Sequence, residues 1–416
     1  MADTSSAVRS TRQPVHTVYG GAHLFSPDTT SKLGAIALKA LREHATDASM
    51  LADALGLDLS IATRVHPRVV AKLEREPVED FRIDFEDGFG IRPDAEEDAV
   101  AKTAASHVAS GMTAGTLPPG IGIRIKNLGD EMKRRSLRTL EMFLSTLAER
   151  TGGVLPANFV ITLPKITAPE QVTHLAESCE AYESMHIVAG GSLRFEVMIE
   201  TPESVFGRDG RVALPDFLAR GHNRITAAHF GTYDYTASMG ITAAYQSMLH
   251  PSCDFAKHVM QVALAGTGVW MSDGATTVLP IGKDRGVIHA AWRMHADQVR
   301  HSLIGGFYQG WDLHPAQLVS RYAAVYAFFL EGLDSASERL RNFVEKTAKA
   351  TAVGGVFDDA ATGQGLLNYF LRAMNCGAIG EAEAVEMSGL STTELESRSF
   401  AKILAGRLGA VEQQRK

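Results

Sequence analysis

Two carboxylates, Glu200 and Asp234, stand directly after short apolar runs, in the segments MIET and GTYDY. Two carboxylates, with waters and substrate oxygens, complete the six oxygen ligands that Mg²⁺ prefers. An ion held there acts as a Lewis acid on the oxygens of a 2-oxo acid and stabilises the enolate formed when a carbon–carbon bond breaks. We therefore predict a metal site at Glu200 and Asp234, with Mg²⁺ as the cofactor and Mn²⁺ as its substitute.

Arg124 is the third residue whose type suggests chemistry, because it lies in another apolar run. An arginine stays protonated, so it can place a second positive charge at a developing oxyanion. The competing interpretation is that Arg124, Glu200 and Asp234 form a structural network of ion pairs. Spacing alone favours neither interpretation.

The elements that must position these residues follow an alternating pattern of short β-rich runs and longer stretches of helical period, typical of βαβ units. Eight runs predict an α/β fold, a (β/α)₈ TIM barrel with a C-terminal helical extension. The predicted strands are Val18–Gly21, Phe81–Phe85, Ile121–Ile125, Phe159–Leu163, Phe195–Ile199, Ile225–Phe230, Thr276–Ile281 and Gly310–Leu313. Predicted helices between them include Thr30–Leu41 and Arg135–Ala148.

Charged residues cluster where these strands end, which is the face that carries the active site in barrels of this kind. Acids and bases at nearly every strand end are hard to attribute to solvent-facing loops alone. The residues at or just after the strand ends are Asp84, Glu86, Asp87, Arg124, Lys126, Lys165, Glu200, Asp234 and His314.

After the eighth strand the pattern changes to long helices, predicted over Ala316–Leu333 and Ser335–Ala350 and followed by a glycine-rich link, Val353–Phe357. The predicted organisation is a flexible N-terminal tail over 1–16, a TIM-barrel catalytic domain over 17–334 and a helical extension over 335–416.

Apolar residues at helical spacing in the extension, such as Leu366, Phe370 and Met374, need burial. A neighbouring barrel or the chain's own barrel would satisfy that demand. We expect a homo-oligomer in which the extension packs on a neighbour.

Composition excludes several classes of protein. A net charge of −7 provides no basic stripe for nucleic acid, and no run of 18 apolar residues suggests a membrane span. The polar residues 1–16 contain no apolar export segment, and the three scattered cysteines indicate neither a disulfide framework nor a zinc site. We predict a cytoplasmic protein without nucleic-acid or membrane partners.

Six short motifs occur in order along the chain, and together they resemble the HpcH/HpaI aldolase and citrate lyase β-subunit-like family. The resemblance covers roughly residues 17–330. The motifs are DFEDG (84–88), IRIK (123–126), LPKI (163–166), EVMIETPES (196–204), GTYDYTASMG (231–240) and GWDLHPAQL (310–318).

The resemblance implies a divalent-metal-dependent carbon–carbon lyase that cleaves or forms a small hydroxylated oxo acid or related carboxylate. It implies that Arg124 binds substrate and stabilises the enolate, and that Glu200 and Asp234 bind the metal. Glu86 and Asp87 match the family's acidic pair, which sits behind the arginine or holds a metal-bound water.

Three further residues are candidates for substrate binding beside Arg124: Gly231 and Thr232, in the segment that contains Asp234, and His23, in GGAHLFSP. The glycines before His23 permit close approach of an anion to the backbone, although a tight turn explains them equally well.

Three other polar residues are expected to be structural. Lys165 is expected to neutralise Glu86 or Glu200, with contact to the site as the alternative. His229 is expected to be a core histidine, with donation to a substrate as the alternative. His314 is expected to stabilise the turn after strand eight.

The same residues suit a second reaction, that of an acyl-CoA lyase or thioesterase of the malyl or citramalyl type. However, HTVYGGAHLFSP lacks the basic residue and RS segment usual in CoA-using members, so a CoA thioester is the less favoured substrate. A phosphoenolpyruvate-using barrel enzyme and a non-catalytic binding subunit are two further hypotheses.

Asp358 or Asp359 resembles a late acidic residue of the family, although solvated loop acids are the favoured interpretation.

Overall fold

The computed structural model describes residues 12–185, 188–349 and 360–414, and its centre is one sheet of eight parallel strands. The order in the sheet is β7-β6-β5-β4-β3-β2-β1-β8. The strands are β1 His16–Gly21, β2 Asp80–Asp84, β3 Gly120–Arg124, β4 Phe159–Leu163, β5 Arg194–Ile199, β6 Ile225–Phe230, β7 Trp270–Ser272 and β8 Gly310–Asp312.

The two end strands of this order meet and close the sheet into a barrel. The Asp273 N–H donates to Gln309 O at 2.8 Å, and the Trp311 N–H donates to Gly274 O at 3.0 Å. A parallel bridge joins Ala275 to Trp311 beside these bonds. The predicted (β/α)₈ barrel with C-terminal helices is therefore confirmed.

The predicted seventh strand, Thr276–Ile281, is wrong. Trp270 and Ser272 instead pair with β6, in register with Ala227 and His229. The predicted segment is β-rich in composition but leaves the sheet, with the side chains of Val278 and Ile281 44% and 54% exposed. The other seven predicted strands lie within two residues of the observed ends.

Helices connect the strands and follow the last one. They are α1 Thr29–His44, α2 Ala48–Leu55, α3 Leu59–Arg75, α4 Asp94–Ala114, α5 Lys133–Thr151, α6 Glu170–Met185, α7 Pro202–Val205, α8 Leu214–Arg220, α9 Thr232–Ser238, α10 Pro251–Leu264, α11 Arg285–Ile304, α12 Gln317–Lys349, α13 Ala360–Cys376, α14 Glu381–Ser388, α15 Thr392–Glu396 and α16 Phe400–Gln414. Short 3₁₀ helices lie at Ala22–Leu24 and Ala243–Tyr245. Among the helices described, none is both long and apolar enough to cross a membrane.

The helices α1 and α5 contain the predicted helices Thr30–Leu41 and Arg135–Ala148, which are confirmed. Helix α5 shows why the pattern was informative. It buries Leu140, Phe143 and Leu147 on one face, and the Phe143 ring stacks on Phe159 of β4 with centroids 5.9 Å apart.

The two helices predicted after strand eight are one continuous helix, α12, of 33 residues. The expected break at Asp334 does not occur, although Gly332 lies close by. The helix continues because its apolar face does: Leu333 and Leu340, two turns apart, are both fully buried. The predicted link Val353–Phe357 lies outside the described residues, as do Asp358 and Asp359.

The chain divides into two compact units. One combines the residues before Asp47 with Val70–Arg321 and contains the barrel; the other combines Asp47–Val69 with Tyr322–Lys416. In the second unit, Arg68 donates to both carboxylate oxygens of Glu383 at 3.1 Å. Leu367 and Phe370 of α13 are fully buried in the single chain, so their burial does not require a partner subunit.

A buried carboxylate ties β8 to the barrel and to the start of α12. Asp312 is fully buried and accepts hydrogen bonds from Arg321 Nη2 at 2.9 Å and Nε at 3.1 Å. His16 Nδ1 and His295 Nε2 lie 2.9 Å and 3.1 Å from its oxygens. Burial alone would raise the pKa of Asp312, but Arg321 and the two histidines hold that pKa well below its usual range.

We predict that Asp312→Asn lowers the free energy of unfolding by about 3–5 kcal/mol, because it leaves the Arg321 guanidinium buried without a counter-charge. Urea denaturation measures the change. Asp216→Asn is the matched control, because Asp216 also pairs with an arginine, Arg220, at 2.9 Å but is largely exposed; we expect less than about 1 kcal/mol there. Equal losses in the two variants would contradict the prediction.

Candidate active site

The candidate residues converge at the carboxyl ends of five neighbouring strands. Asp84 and Arg124 are the last residues of β2 and β3, Glu200 directly follows β5, and Asp234 lies in the first turn of α9 after β6. Lys165 follows β4 by two residues. Because the strands are parallel and in register, their ends bring these side chains to one face of the barrel.

Arg124 is held by a bidentate ion pair that we did not predict. Its Nε and Nη2 donate to Asp84 Oδ1 and Oδ2 at 2.7 Å and 2.5 Å, and Arg124 is only 4% exposed. The Tyr19 ring lies 4.8 Å from the guanidinium. Burial opposes the charge, but Asp84 raises the pKa of Arg124 well above its usual value, so the cation is permanent.

The sequence identified Asp84 and Arg124 as charged residues at strand ends, but it did not identify them as partners. Asp84 and Arg124 are paired in register on neighbouring strands, so their side chains leave the sheet on the same side. The motif DFEDG identified Asp84 as a charged strand end, but its pairing required the register.

The acidic pair after β2 lies against Arg124. Arg124 Nη1 is 3.3 Å from Glu86 Oε2 and 3.5 Å from Asp87 Oδ2. Burial raises the pKa of Glu86 to about 7, although the charge of Arg124 opposes the shift. Burial also acts to raise the pKa of Asp87, but the hydrogen bond with Glu86 and the charges of Arg124 and Lys165 lower it overall.

Glu200 and Asp234 are close enough to interact electrostatically. Glu200 is 1% exposed, and its Oε1 accepts a hydrogen bond from the Lys165 N–H at 2.7 Å. Burial raises the pKa of Glu200 to about 8, the negative charge of Asp234 acts in the same direction, and Lys165 and Arg124 offset only part of the effect. The buried carboxylate is therefore short of positive charge.

Lys165 lies at the centre of the acidic residues. Its Nζ contacts Glu86 and lies 3.0 Å from Asp87 Oδ1 and 3.7 Å from Asp234 Oδ2. Its backbone is left-handed, with φ +49°, a conformation that costs a residue with a Cβ about 1–3 kcal/mol. That conformation directs its N–H to Glu200, a role that the sequence pattern could not reveal.

The glycine beside Glu200 has a steric reason. A Cβ at position 231 would lie 2.5 Å from both Cβ and Oε2 of Glu200, so only glycine lets β6 and Glu200 approach this closely. The Thr232 side chain points instead toward the segment after β7, where it leaves no room for a Cβ at Gly274. Thr232 Oγ1 is buried and has no hydrogen-bond partner among the described residues.

His23 lies in the 3₁₀ helix after β1, on the same face of the barrel but at its exposed rim. Its ring centroid is 5.7 Å from that of Phe89. A Cβ at Gly21 would collide with Gly88 O and the His23 ring. Close packing of two strand-end loops therefore accounts for Gly21 without an anion.

The two other histidines lie in the core and in the turn after strand eight, where we expected them. His229 is fully buried; its Nδ1 accepts a hydrogen bond from Trp311 Nε1 at 3.0 Å, and its Nε2 lies 3.0 Å from Glu196 Oε2. His314 Nδ1 accepts from the Ala316 N–H at 3.2 Å in the turn before α12.

The residues that suit a divalent cation are Glu200 and Asp234. Across residues 12–185, 188–349 and 360–414, no three His, Cys, Asp or Glu side chains are grouped to hold a metal ion. Two carboxylates leave positions for water and for substrate oxygens, which agrees with the way Mg²⁺ is bound in sites that also bind substrate.

Comparisons with known proteins agree with this fold. The profile of a family described as Domain of unknown function (DUF6986) matches residues 3–403. A comparison with curated proteins found no match. A citrate lyase from Burkholderia xenovorans LB400 has a similar structure, with a TM-score of 0.56 and 19% identity over 77% of this chain and 91% of that one.

A malate synthase from Haloferax volcanii, solved as a lead(II) complex, has a TM-score of 0.50 and 16% identity over 95% of this chain and 97% of that one. At these identities the likeness shows the fold alone. The resemblance to the HpcH/HpaI aldolase and citrate lyase family, inferred from the six motifs, is therefore confirmed at the level of the fold.

We predict that Gly231→Ala destabilises the protein by about 1–3 kcal/mol, because the added methyl group overlaps Glu200 in a packed site. Thermal or urea unfolding measures the loss. Gly190→Ala is the control, because a Cβ there meets nothing within 4 Å and the backbone is not left-handed; we expect a change within about 0.5 kcal/mol. A Gly231→Ala protein as stable as the control would show that Glu200 is less tightly packed than described.

Proposed function

Since the chain belongs to the DUF6986 family, whose description names no activity, we propose a function from its site: a divalent-metal-dependent carbon–carbon lyase. Its substrate would be a small hydroxylated oxo acid or related carboxylate, cleaved or formed through an enolate. Two solved structures with a similar fold are named citrate lyase and malate synthase, which supports the choice of reaction class.

The observation that carries the proposal is the burial of Glu200 next to a second carboxylate, Asp234, with only a glycine, Gly231, beside its Oε2. Burial, and after it the negative charge of Asp234, raises the pKa of Glu200 to about 8, so a bound cation would stabilise the ionised form. Gly231 supports the assignment, because it keeps the space beside Glu200 Oε2 free of a side chain. Glu200 and Asp234 would hold the ion, which when bound supplies a Lewis acid for substrate oxygens.

Arg124 would stabilise the negative charge that develops on the substrate. Asp84 engages Nε and Nη2 and holds the guanidinium plane, while Nη1 faces the loop that carries Glu86 and Asp87. A cation fixed in a buried site needs no reorganisation when the charge on an enolate oxygen forms. The pairing with Asp84 therefore prepares Arg124 for this role.

Glu86 would carry the substrate hydroxyl proton. Its pKa of about 7 allows the carboxyl group both to accept and to release a proton near neutral pH. Lys165 and Arg124 contact its two oxygens and fix its orientation.

A substrate panel tests the reaction class. The full chain would be incubated with Mg²⁺ and a set of hydroxylated oxo acids and malyl or citramalyl thioesters of CoA, with detection of pyruvate, glyoxylate and free thiol. Release of an oxo acid that stops on addition of EDTA supports the proposal. Release of free thiol without an oxo acid would favour the thioesterase, and no turnover with any substrate class would contradict a lyase.

We predict that Glu200→Gln and Asp234→Asn each weaken Mg²⁺ binding by more than about 100-fold. Loss of a residue that only orients a metal ligand costs up to about 100-fold, and these two carboxylates would be ligands themselves. Isothermal titration calorimetry measures the affinity. Asp209→Asn is the control, because Asp209 is an exposed acid in the loop after α7. Unchanged Mg²⁺ affinity in both site variants would place the ion elsewhere.

We predict that Arg124→Lys lowers kcat by about 100-fold to 1000-fold, the usual loss for one oxyanion donor. A lysine keeps the charge but cannot form the two-point pair with Asp84 that orients the guanidinium. Steady-state kinetics, with circular dichroism to confirm folding, measure the effect. Arg138→Lys, on the exposed face of α5, is the control. A lysine variant within about threefold of wild type would make Arg124 structural.

A further inference from the structure

A cavity of about 960 Å³ lies at the amino-terminal ends of the barrel strands, on the face opposite the candidate active site. Residues at or near the starts of four strands line it: Asp80 of β2, Val160 of β4, Arg194 of β5 and Trp270 of β7. Barrel interiors are normally filled by layers of side chains. A space of this size is in the range of small-molecule sites.

Most of the cavity wall is apolar. Pro119, Leu155, Leu218 and Ile225 contribute to it, together with the half-buried Val160 and Trp270. Burial of such surface by an apolar ligand is favourable because it removes the surface from water. The wall is therefore suited to a ring or a hydrocarbon chain.

The arginines of this wall differ in whether an acidic residue neutralises them. Arg82, at the floor, pairs with Asp80 and Glu196 at 2.5 Å and 2.8 Å. Arg12, at the rim, pairs with Glu79. Within the part of the chain that the structure describes, Arg194 forms no ion pair, and its Nη1 donates to Asn223 O at 2.5 Å.

The remaining donors of this guanidinium are available to an anion. Arg194 is half-buried, so a bond to an anionic group would form in partly desolvated surroundings, where such bonds are strong. An apolar wall with one unneutralised guanidinium matches a ligand that has an apolar body and a single anionic head.

We propose that this cavity is a second binding site, separate from the active site, for an amphipathic organic anion. The apolar body of the ligand lies against Trp270 and Leu218, and its carboxylate, sulfonate or phosphate group pairs with Arg194. Arg82 and Glu196 form the floor between this ligand and Arg124, so the proposal does not depend on the lyase activity.

Fluorescence titration of the full chain with the amphipathic dye anilinonaphthalene sulfonate tests the proposal. We expect saturable one-to-one binding and energy transfer from tryptophan to the dye. Trp270→Phe should lower that transfer more than Trp292→Phe, which alters a fully buried tryptophan of α11. Absence of saturable binding would overturn the proposal.

Two kinds of variant locate the dye. Arg194→Gln should weaken its binding by about tenfold, the value of one charge-assisted hydrogen bond, whereas Arg134→Gln on the exposed face of α5 should not. Val160→Trp should fill the cavity and block binding, and Leu218→Trp is the second filling variant if the first does not fold. If Arg194→Gln and a filling variant both bind the dye with unchanged affinity, the dye binds elsewhere and the proposal is overturned. The groove beside Phe206 and Phe255 is one such place.

Discussion

A charge can remain inside this barrel only where an opposite charge lies beside it, because burial removes the water that would otherwise stabilise it. Arg82 meets this condition with Asp80 and Glu196, and Arg124 meets it with Asp84. Glu200 does not meet it fully, since burial and Asp234 raise its pKa to about 8. The constraint that stabilises the rest of the interior is therefore the reason why we propose a cation at Glu200 and Asp234.

The polar interior below the active face also restricts how Arg124 can move. Trp311 donates to His229, which lies 3.0 Å from Glu196, and Glu196 binds Arg82 through both carboxylate oxygens. The Tyr19 ring packs between this network and Arg124, with its centroid 4.7 Å from that of Trp311. Rigid support of this kind matters for an oxyanion site, because a fixed dipole or charge stabilises a transition state without reorganisation.

Seven strands and the barrel could be predicted because short apolar, β-rich runs alternate with longer stretches of helical period. Strand β7, Trp270–Ser272, could not, because the nearby β-rich run at Thr276–Ile281 competes with it in the sequence. Glu200, Asp234 and Arg124 were predicted from residue type and motif. The bond from the left-handed Lys165 to Glu200 and the cavity beside Arg194 depend on how distant segments pack, and one-dimensional patterns do not encode that packing.

Anomalous diffraction from crystals grown with Mn²⁺ tests the metal site most directly, because the scattering locates the ion without reference to activity. The charge deficit at Glu200 predicts a single strong peak within bonding distance of the Glu200 and Asp234 carboxylates, with Mn²⁺ standing in for Mg²⁺. An ordered ion elsewhere on the barrel, or no peak at saturating Mn²⁺, would contradict the proposed metal-dependent chemistry.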